Sequence, residues 1–204
     1  MIAKRFREKA ALAGLAGLLI VLWLPSAVAA SELAETFIQQ RADEVTAIIA
    51  NRTATVRDKR SDIWQVIDGS INSEQMARTT LGAYAAPLSQ REIDRYVQAF
   101  RRYVRVCYAG ELASASNLEI KINGSSEMRR SRGTRVTSRV SINGDRGHEV
   151  DWRVLDDQFV ADVQIDGIWL VSDLRSQLDP VLRQSGGKLN AAIDYLDRQS
   201  RGED

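Results

Sequence analysis

The sequence predicts an α+β fold, in which a curved antiparallel sheet of about four to five strands packs under N-terminal and C-terminal helices. Three observations carry this. Apolar residues recur at helical spacing up to about residue 117 and alternate after it. Asn143-Gly144, a strong hairpin signal, separates two alternating stretches. Two helical stripes follow the last alternating run.

Residues 1–30 stand apart from that domain. Lys4, Arg5, Arg7 and Lys9 form a basic head, and Ala10 to Leu24 is an apolar run of fifteen residues, short for a membrane span. Pro25 breaks the run, and Ala27-Val28-Ala29 puts small residues where a signal peptidase reads. The pattern predicts a cleaved signal peptide over residues 1–29, a periplasmic destination and a single domain over 30–204. A retained N-terminal anchor is the alternative. No Cys follows the cleavage site, which argues against a lipoprotein.

The helices come first. Ala34, Phe37, Ile38, Ala42, Val45, Ile48 and Ile49 share one stripe over residues 31–50, with Ser31 as a cap. A second helix is expected over about 57–67, with Ile63, Trp64 and Ile67 inward. A short third starts near Ser73 and carries Met76, Thr80 and Leu81. The clearest runs from Ser89 to about Ala113, where Ser89-Gln90-Arg91-Glu92 forms a capping box. Cys107 lies on its apolar stripe, which suits an unpaired thiol in an oxidising compartment.

The strands follow. Leu118, Ile120 and Ile122 mark the first, Val136, Val140 and Ile142 the second, and Val150, Trp152 and Val154 the third. Phe159, Ala161, Val163 and Ile165 mark the fourth, and Ile168 to Val171 a short fifth. Sequential hairpins read as an antiparallel meander with one apolar face. A helix capped by Ser172 or Asp173 runs to about Ser185, where Gly186-Gly187 stops it. Pro180 inside it predicts a kink or a break. Leu189, Ile193 and Leu196 mark the last helix.

Charge and composition exclude several functions. Basic and acidic side chains number 28 and 27, and residues 1–30 alone carry +3, so the remainder is net −2. Such a balance argues against a nucleic-acid partner. One Cys and one His cannot build a zinc site, an iron–sulfur cluster or a disulfide framework. No cofactor or metal is expected. The single His148 sits at a hairpin end, where it reads as solvated. Asp156-Asp157 reads as turn chemistry rather than a catalytic pair. Asp162 and Asp166 fall at polar positions of a strand and its turn; they are a wet sheet face or, in a closed pocket, a general base. Arg129, Arg130 and Arg132 form a basic cluster that reads as a solvated hairpin tip or a contact with an anionic lipid or partner surface.

The remaining signal is aromatic. Tyr84, Tyr96, Phe100, Tyr103, Tyr108, Trp152, Phe159 and Trp169 gather on the long helix, the segment before it and the sheet. They form either a packed core or the wall of a hollow between sheet and helical lid.

Three stretches carry a family likeness. The first is Met76-Ala77-Arg78-Thr79-Thr80-Leu81-Gly82. The second runs from Phe100-Arg101-Arg102-Tyr103-Val104 to Tyr108-Ala109-Gly110-Glu111-Leu112. The third is Asp162-Val163-Gln164-Ile165-Asp166-Gly167-Ile168-Trp169-Leu170-Val171, continuing into Leu174-Arg175-Ser176-Gln177-Leu178 and Gly186-Gly187. In order and spacing, over about residues 33–198, the chain resembles the MlaC / toluene-tolerance family of periplasmic phospholipid-binding proteins. It departs from the family at Ala83-Tyr84-Ala85, where an aromatic-basic pair is usual, and at Trp169, where Ser is usual.

The resemblance implies an apolar cavity between sheet and helices and a soluble carrier, not an enzyme. Such a carrier holds phospholipid acyl chains and moves lipid between an outer-membrane lipoprotein complex and an inner-membrane ABC transporter complex. The residues expected at the tails are Tyr84, Val97, Phe100, Tyr103, Val104, Tyr108, Trp152, Val163, Ile165, Trp169, Leu174 and Leu178. A hopanoid-associated sister group makes another lipid the nearest alternative. An isomerase-like enzyme with Asp162 or Asp166 as base, and a binding module with a filled core, are the others.

Overall fold

The computed structural model describes residues 26–128, 132–156 and 158–201, with side chains from residue 32 onward. The expected signal peptide, apart from residues 26–29, lies outside these, as do Arg129, Arg130 and Asp157. No described helix is long and apolar enough to cross a membrane.

Helix α1 (Ser26–Ala50) is followed by α2 (Val56–Ser70), α3 (Ser73–Leu81), a 3-10 turn (Gly82–Ala85) and α4 (Gln90–Val104). α1 runs through Ser31, which therefore does not cap it; Ala27, Ala29 and Ala30 are strong helix formers and sustain the turn before it. Two capping boxes fix the entries of α2 and α4. In the first, the Thr55 hydroxyl accepts the Asp58 N–H at 3.2 Å while the Asp58 carboxylate accepts the Thr55 N–H. In the second, Ser89 and Glu92 exchange the same pair of bonds. The Ser89 hydrogen bonds hold the Glu92 carboxyl below its ordinary pKa.

Gly82, at φ 58°, closes α3 in a conformation that favours glycine. A side chain there would also meet the Arg175 guanidinium, 2.8 Å from where Cβ would sit.

The long helix expected over residues 89–113 is not uniform. α4 passes into a π-helical turn (Arg105–Ala109) and then α5 (Gly110–Ala113). The sheet follows as β1 (Leu118–Glu127), β2 (Thr134–Ile142), β3 (His148–Leu155), β4 (Phe159–Ile165) and β5 (Ile168–Trp169). Its order is β1-β2-β3-β4-β5, antiparallel throughout. Asn143 (φ 56°) and Gly144 (φ 75°) make the turn that joins β2 to β3. The Asn143 side chain also accepts the N–H groups of Ser116 and Asn117 at 2.7 and 3.2 Å, tying this hairpin to the entrance of β1.

Alternation breaks once in β4. Arg153 faces Asp162 but Val154 faces Val160, which leaves Ala161 as the extra residue of a bulge. Val160 is therefore buried and Phe159 is 40 % exposed, the reverse of the alternation expected from the sequence.

The last two helices are α6 (Leu170–Gln184) and α7 (Leu189–Arg201). α6 begins before Ser172 and Asp173, so neither caps it. Its first turn is held instead by Asp162 of β4, whose carboxylate accepts the Val171 N–H at 3.0 Å. Pro180 does not break α6; it lies on the exposed side, away from the packed residues Leu174, Leu178 and Leu182. Gly186 and Gly187 end it, the Gly187 N–H reaching the Leu182 carbonyl at 2.7 Å.

The inner face of the sheet lies under the helices. One apolar cluster joins α3, α4, α6 and α7 through Tyr96, Phe100, Leu178 and Leu196. A second joins α1, α2, α5 and β1 through Ile49, Ile63 and Leu118. A third seats Ala34 and Ile38 of α1 on Val136, Val154 and Val160. Between the three, the layers do not close.

Candidate lipid cavity

The gap between the layers is a cavity of about 480 Å³, within the range of roughly 300–1,000 Å³ usual for ligand pockets. Its floor is the inner face of the sheet: Leu118 and Ile120 of β1, Val140 and Ile142 of β2, Val150 and Trp152 of β3, Val163 and Ile165 of β4. Those residues share one face because strand side chains alternate. Its walls come from α1 (Ile38, Ala42, Val45), α2 (Val66, Ile67), α4 (Phe100, Tyr103, Val104) and α6 (Leu170, Val171, Leu174). Among the described residues, charged or polar groups in the lining are Arg41, Ser70, Glu111 and His148, besides the hydroxyls of Tyr103 and Tyr108 and the indole of Trp152.

Eight of the twelve expected residues meet at this cavity: Phe100, Tyr103, Val104, Tyr108, Trp152, Val163, Ile165 and Leu174. The other four lie elsewhere. Val97 and Leu178 pack in the cluster between α4, α6 and α7, because they occupy the side of their helices turned to the neighbouring helix. Tyr84, in the 3-10 turn, packs at the edge of the same cluster near Gly187. Trp169 pairs with Gln164, so it projects from the opposite face of the sheet, where the Arg135 guanidinium stands 5.7 Å from its ring centre. Much of the wall was missed by sequence reasoning, chiefly Ile38, Ala42, Val45 and Val66. The stripe of Ile38, Ala42 and Val45 was visible, but nothing in a stripe says whether it meets another side chain or a void; Val66 lies outside the inward set expected for its helix.

Tyr103 and Tyr108 owe their common position to the π turn. Its i to i+5 hydrogen bonding places residues five apart on one side. The two rings meet edge to face, 6.3 Å apart and 87° inclined. Burial pushes both phenols above their ordinary pKa, so both stay neutral donors at the wall. Burial likewise raises the half-buried Cys107 thiol beside them.

Asp162 and Asp166, the carboxylates considered as a base, are engaged outside the cavity. Asp162 is 5 % exposed rather than on a wet face, and accepts the N–H groups of Val163 and Val171. Burial raises its pKa, with those bonds and Arg153 opposing. Asp166 is exposed at the β4–β5 turn and accepts from His148 Nδ1 at 2.6 Å and from the Glu149 N–H. His148 is thus held between Asp166 and Asp145 at the edge of the cavity, rather than free at a hairpin end. Among the described residues no group of three or more His, Cys, Asp or Glu could hold a metal ion. Arg132 pairs with Asp156 across the β2 and β3 ends. A second concavity of about 590 Å³, beside α3, is lined by Asn72, Glu74, Gln75, Arg78 and Arg175 among others, a surface suited to water rather than hydrocarbon.

The sequence model of the MlaC protein family matches residues 39–198. A search of curated proteins finds no match. Among solved structures, the chain is similar to one described as the phospholipid-binding protein from Ralstonia solanacearum in complex with a phospholipid. The TM-score is 0.71 at 20 % sequence identity, and the likeness covers 83 % of this chain and 97 % of that one. At that identity the likeness is one of fold.

Proposed function

The chain belongs to the MlaC protein family, and from that membership and the apolar cavity we propose that it binds phospholipid and carries it across the periplasm. The observation that carries the proposal is the cavity itself: a lining almost wholly apolar, laid between layers that otherwise pack tightly. The fold likeness to a protein described as phospholipid-binding and in complex with a phospholipid supports it. So does the basic head, apolar run and small-residue site of residues 1–29, which suit export with removal of that segment.

The physics of the task explains the form. Burying one methylene is worth about 0.8 kcal/mol, so two tails of roughly fifteen methylenes represent on the order of 24 kcal/mol. Free lipid does not cross water against that cost. A carrier needs only to match the bilayer, and a dry, apolar wall does so without chemistry. The lining offers a headgroup Arg41, Ser70, Glu111 and His148 as charged or polar neighbours. Loading and unloading belong to partners that open the cavity or offer a better one: an outer-membrane lipoprotein complex and an inner-membrane ABC transporter complex.

Transfer between vesicles tests the proposal. Mature protein mixed with donor vesicles holding a tail-labelled phospholipid and with unlabelled acceptors is expected to speed label transfer in proportion to protein concentration. Transfer no faster than in buffer contradicts it.

A further inference from the structure

Resting on the lipid-binding reading, we propose that Arg41 of α1 binds the phosphodiester of the bound lipid, and so makes the cavity select phospholipids over uncharged lipids with the same tails. Arg41 stands in a stretch of α1 whose other lining residues, Ile38, Ala42 and Val45, are apolar. Its side chain borders the cavity yet is 35 % exposed, so it joins the apolar interior to water. A lipid with its tails inside and its polar end in solvent places its phosphate at such a boundary.

The Arg41 Nε is buried and has no hydrogen-bond partner. A guanidinium keeps its protons at any pH a folded protein meets, so this N–H is a permanent donor held out of water. Leaving such a donor unmatched is costly. The ion pair of Arg41 runs instead from Nη2 to the Glu44 carboxylate at 2.7 Å, between side chains 35 % and 44 % exposed. An exposed pair of this kind contributes little and leaves Nε unused. The Phe37 ring, its centre 6.0 Å from the guanidinium carbon, flanks the charge on the same helix. The planar fork of an arginine matches two oxygens of a phosphate.

The other polar groups of the lining are committed or carry the wrong charge. The Ser70 hydroxyl donates to the Val66 carbonyl at 2.6 Å. His148 is held by Asp145 and Asp166. The Tyr103 and Tyr108 hydroxyls bond each other, and the Trp152 indole donates to Ser138. Glu111 repels an anion. Arg135 and Arg153 also carry a buried, unmatched Nε, but neither borders the cavity. Among the described residues, an unmatched buried donor and a positive charge meet on this wall at Arg41.

Delipidated mature protein, titrated with dioctanoyl phosphatidylglycerol, dioctanoyl phosphatidylcholine and dioctanoylglycerol, isolates the head because the tails are the same. Wild type is expected to bind both phosphodiesters alike, and about tenfold more tightly than dioctanoylglycerol. Arg41→Met keeps an apolar stem on the wall, and is expected to bind all three within about twofold of one another while circular dichroism and melting show a folded protein. Glu44→Gln, which removes the competing carboxylate, is expected to tighten binding of the two phosphodiesters alone. Inorganic phosphate is expected not to displace dioctanoyl phosphatidylglycerol; displacement assigns the guanidinium to a free anion and overturns the proposal. A folded Arg41→Met variant that keeps the wild-type preference overturns it as well. So does a wild type that binds all three alike, or that favours phosphatidylglycerol over phosphatidylcholine as strongly as over dioctanoylglycerol. Wild-type protein that binds none of the three overturns the lipid-binding reading instead, so the two failures are distinct.

Discussion

Asp162 does at the residue scale what a helix cap does elsewhere, but from a different element. α6 starts at Leu170 with no side-chain cap of its own, and the carboxylate of β4 supplies the acceptor for Val171. The negative charge also suits the positive end of the helix dipole. Asp162→Ala leaves that buried N–H unmatched and is expected to destabilise the fold by about 1–3 kcal/mol; Asp162→Asn, which keeps an acceptor, is expected to lose less in denaturant melts. Burial raises the native pKa of Asp162 above its unfolded value. The native state then holds the proton more tightly, so this group's contribution is fully present below the ordinary carboxylate pKa and fades as pH rises through the raised value. The stability of wild type relative to Asp162→Asn is therefore expected to improve on acidification through that window; a pH-independent difference contradicts it. Asp145 and Asp166 run the other way. Their pKa values are lowered, chiefly by the Gly147 N–H and by His148 respectively, so their contribution is lost as pH falls.

At the scale of elements, the π turn is where the long helix departs from its reading in the sequence. The apolar rhythm from Ile93 to Leu112 reads as one helix, and both ends of that reading agree with α4 and α5. What periodicity does not register is one extra residue absorbed in the middle, because π bonding changes the phase without changing the composition. Val106, 44 % exposed, occupies the outer side of that turn. Its deletion is expected to restore a regular α-helix, keep Tyr103 and Tyr108 four apart on the cavity side, and leave lipid loading within about twofold of wild type. Loss of loading in a folded deletion variant, read by lipid extraction, means that the π geometry itself shapes the site. The bulge at Ala161 is the same kind of event in the sheet: it buries Val160 and turns Phe159 outward. One hairpin, by contrast, was legible. Asn143-Gly144 carries its backbone requirement in its residue types, whereas Asp166-Gly167 fits a turn or a bulge and only the structure shows the turn. The start of α6 was not, since its cap comes from eight residues upstream of the helix and from another layer.

At the scale of the molecule, local pattern gave the layers but not the space between them. An inward stripe such as Ile38, Ala42 and Val45 looks the same whether it meets a partner or a hollow. Val97 and Leu178 carry the same signal as Phe100 and Leu174, yet the former close the helix cluster and the latter border the void. The decision lies in how the sheet is set beneath the helices, a property of the five strands together. Trp169 illustrates the opposite limit, an aromatic placed on the outer face by register alone. The fold thus holds an unfilled apolar volume that ordinary close packing would remove, and its occupancy by hydrocarbon is the central claim. Native mass spectrometry of mature protein taken from cells, with extraction of what it carries, measures that occupancy for wild type and for Val163→Asp. The account predicts phospholipid on the wild type and about tenfold less on a folded Val163→Asp variant, whose charge would lie in the cavity floor. Wild-type protein that leaves the cell without acyl chains, or a variant that carries as much as wild type, would contradict it.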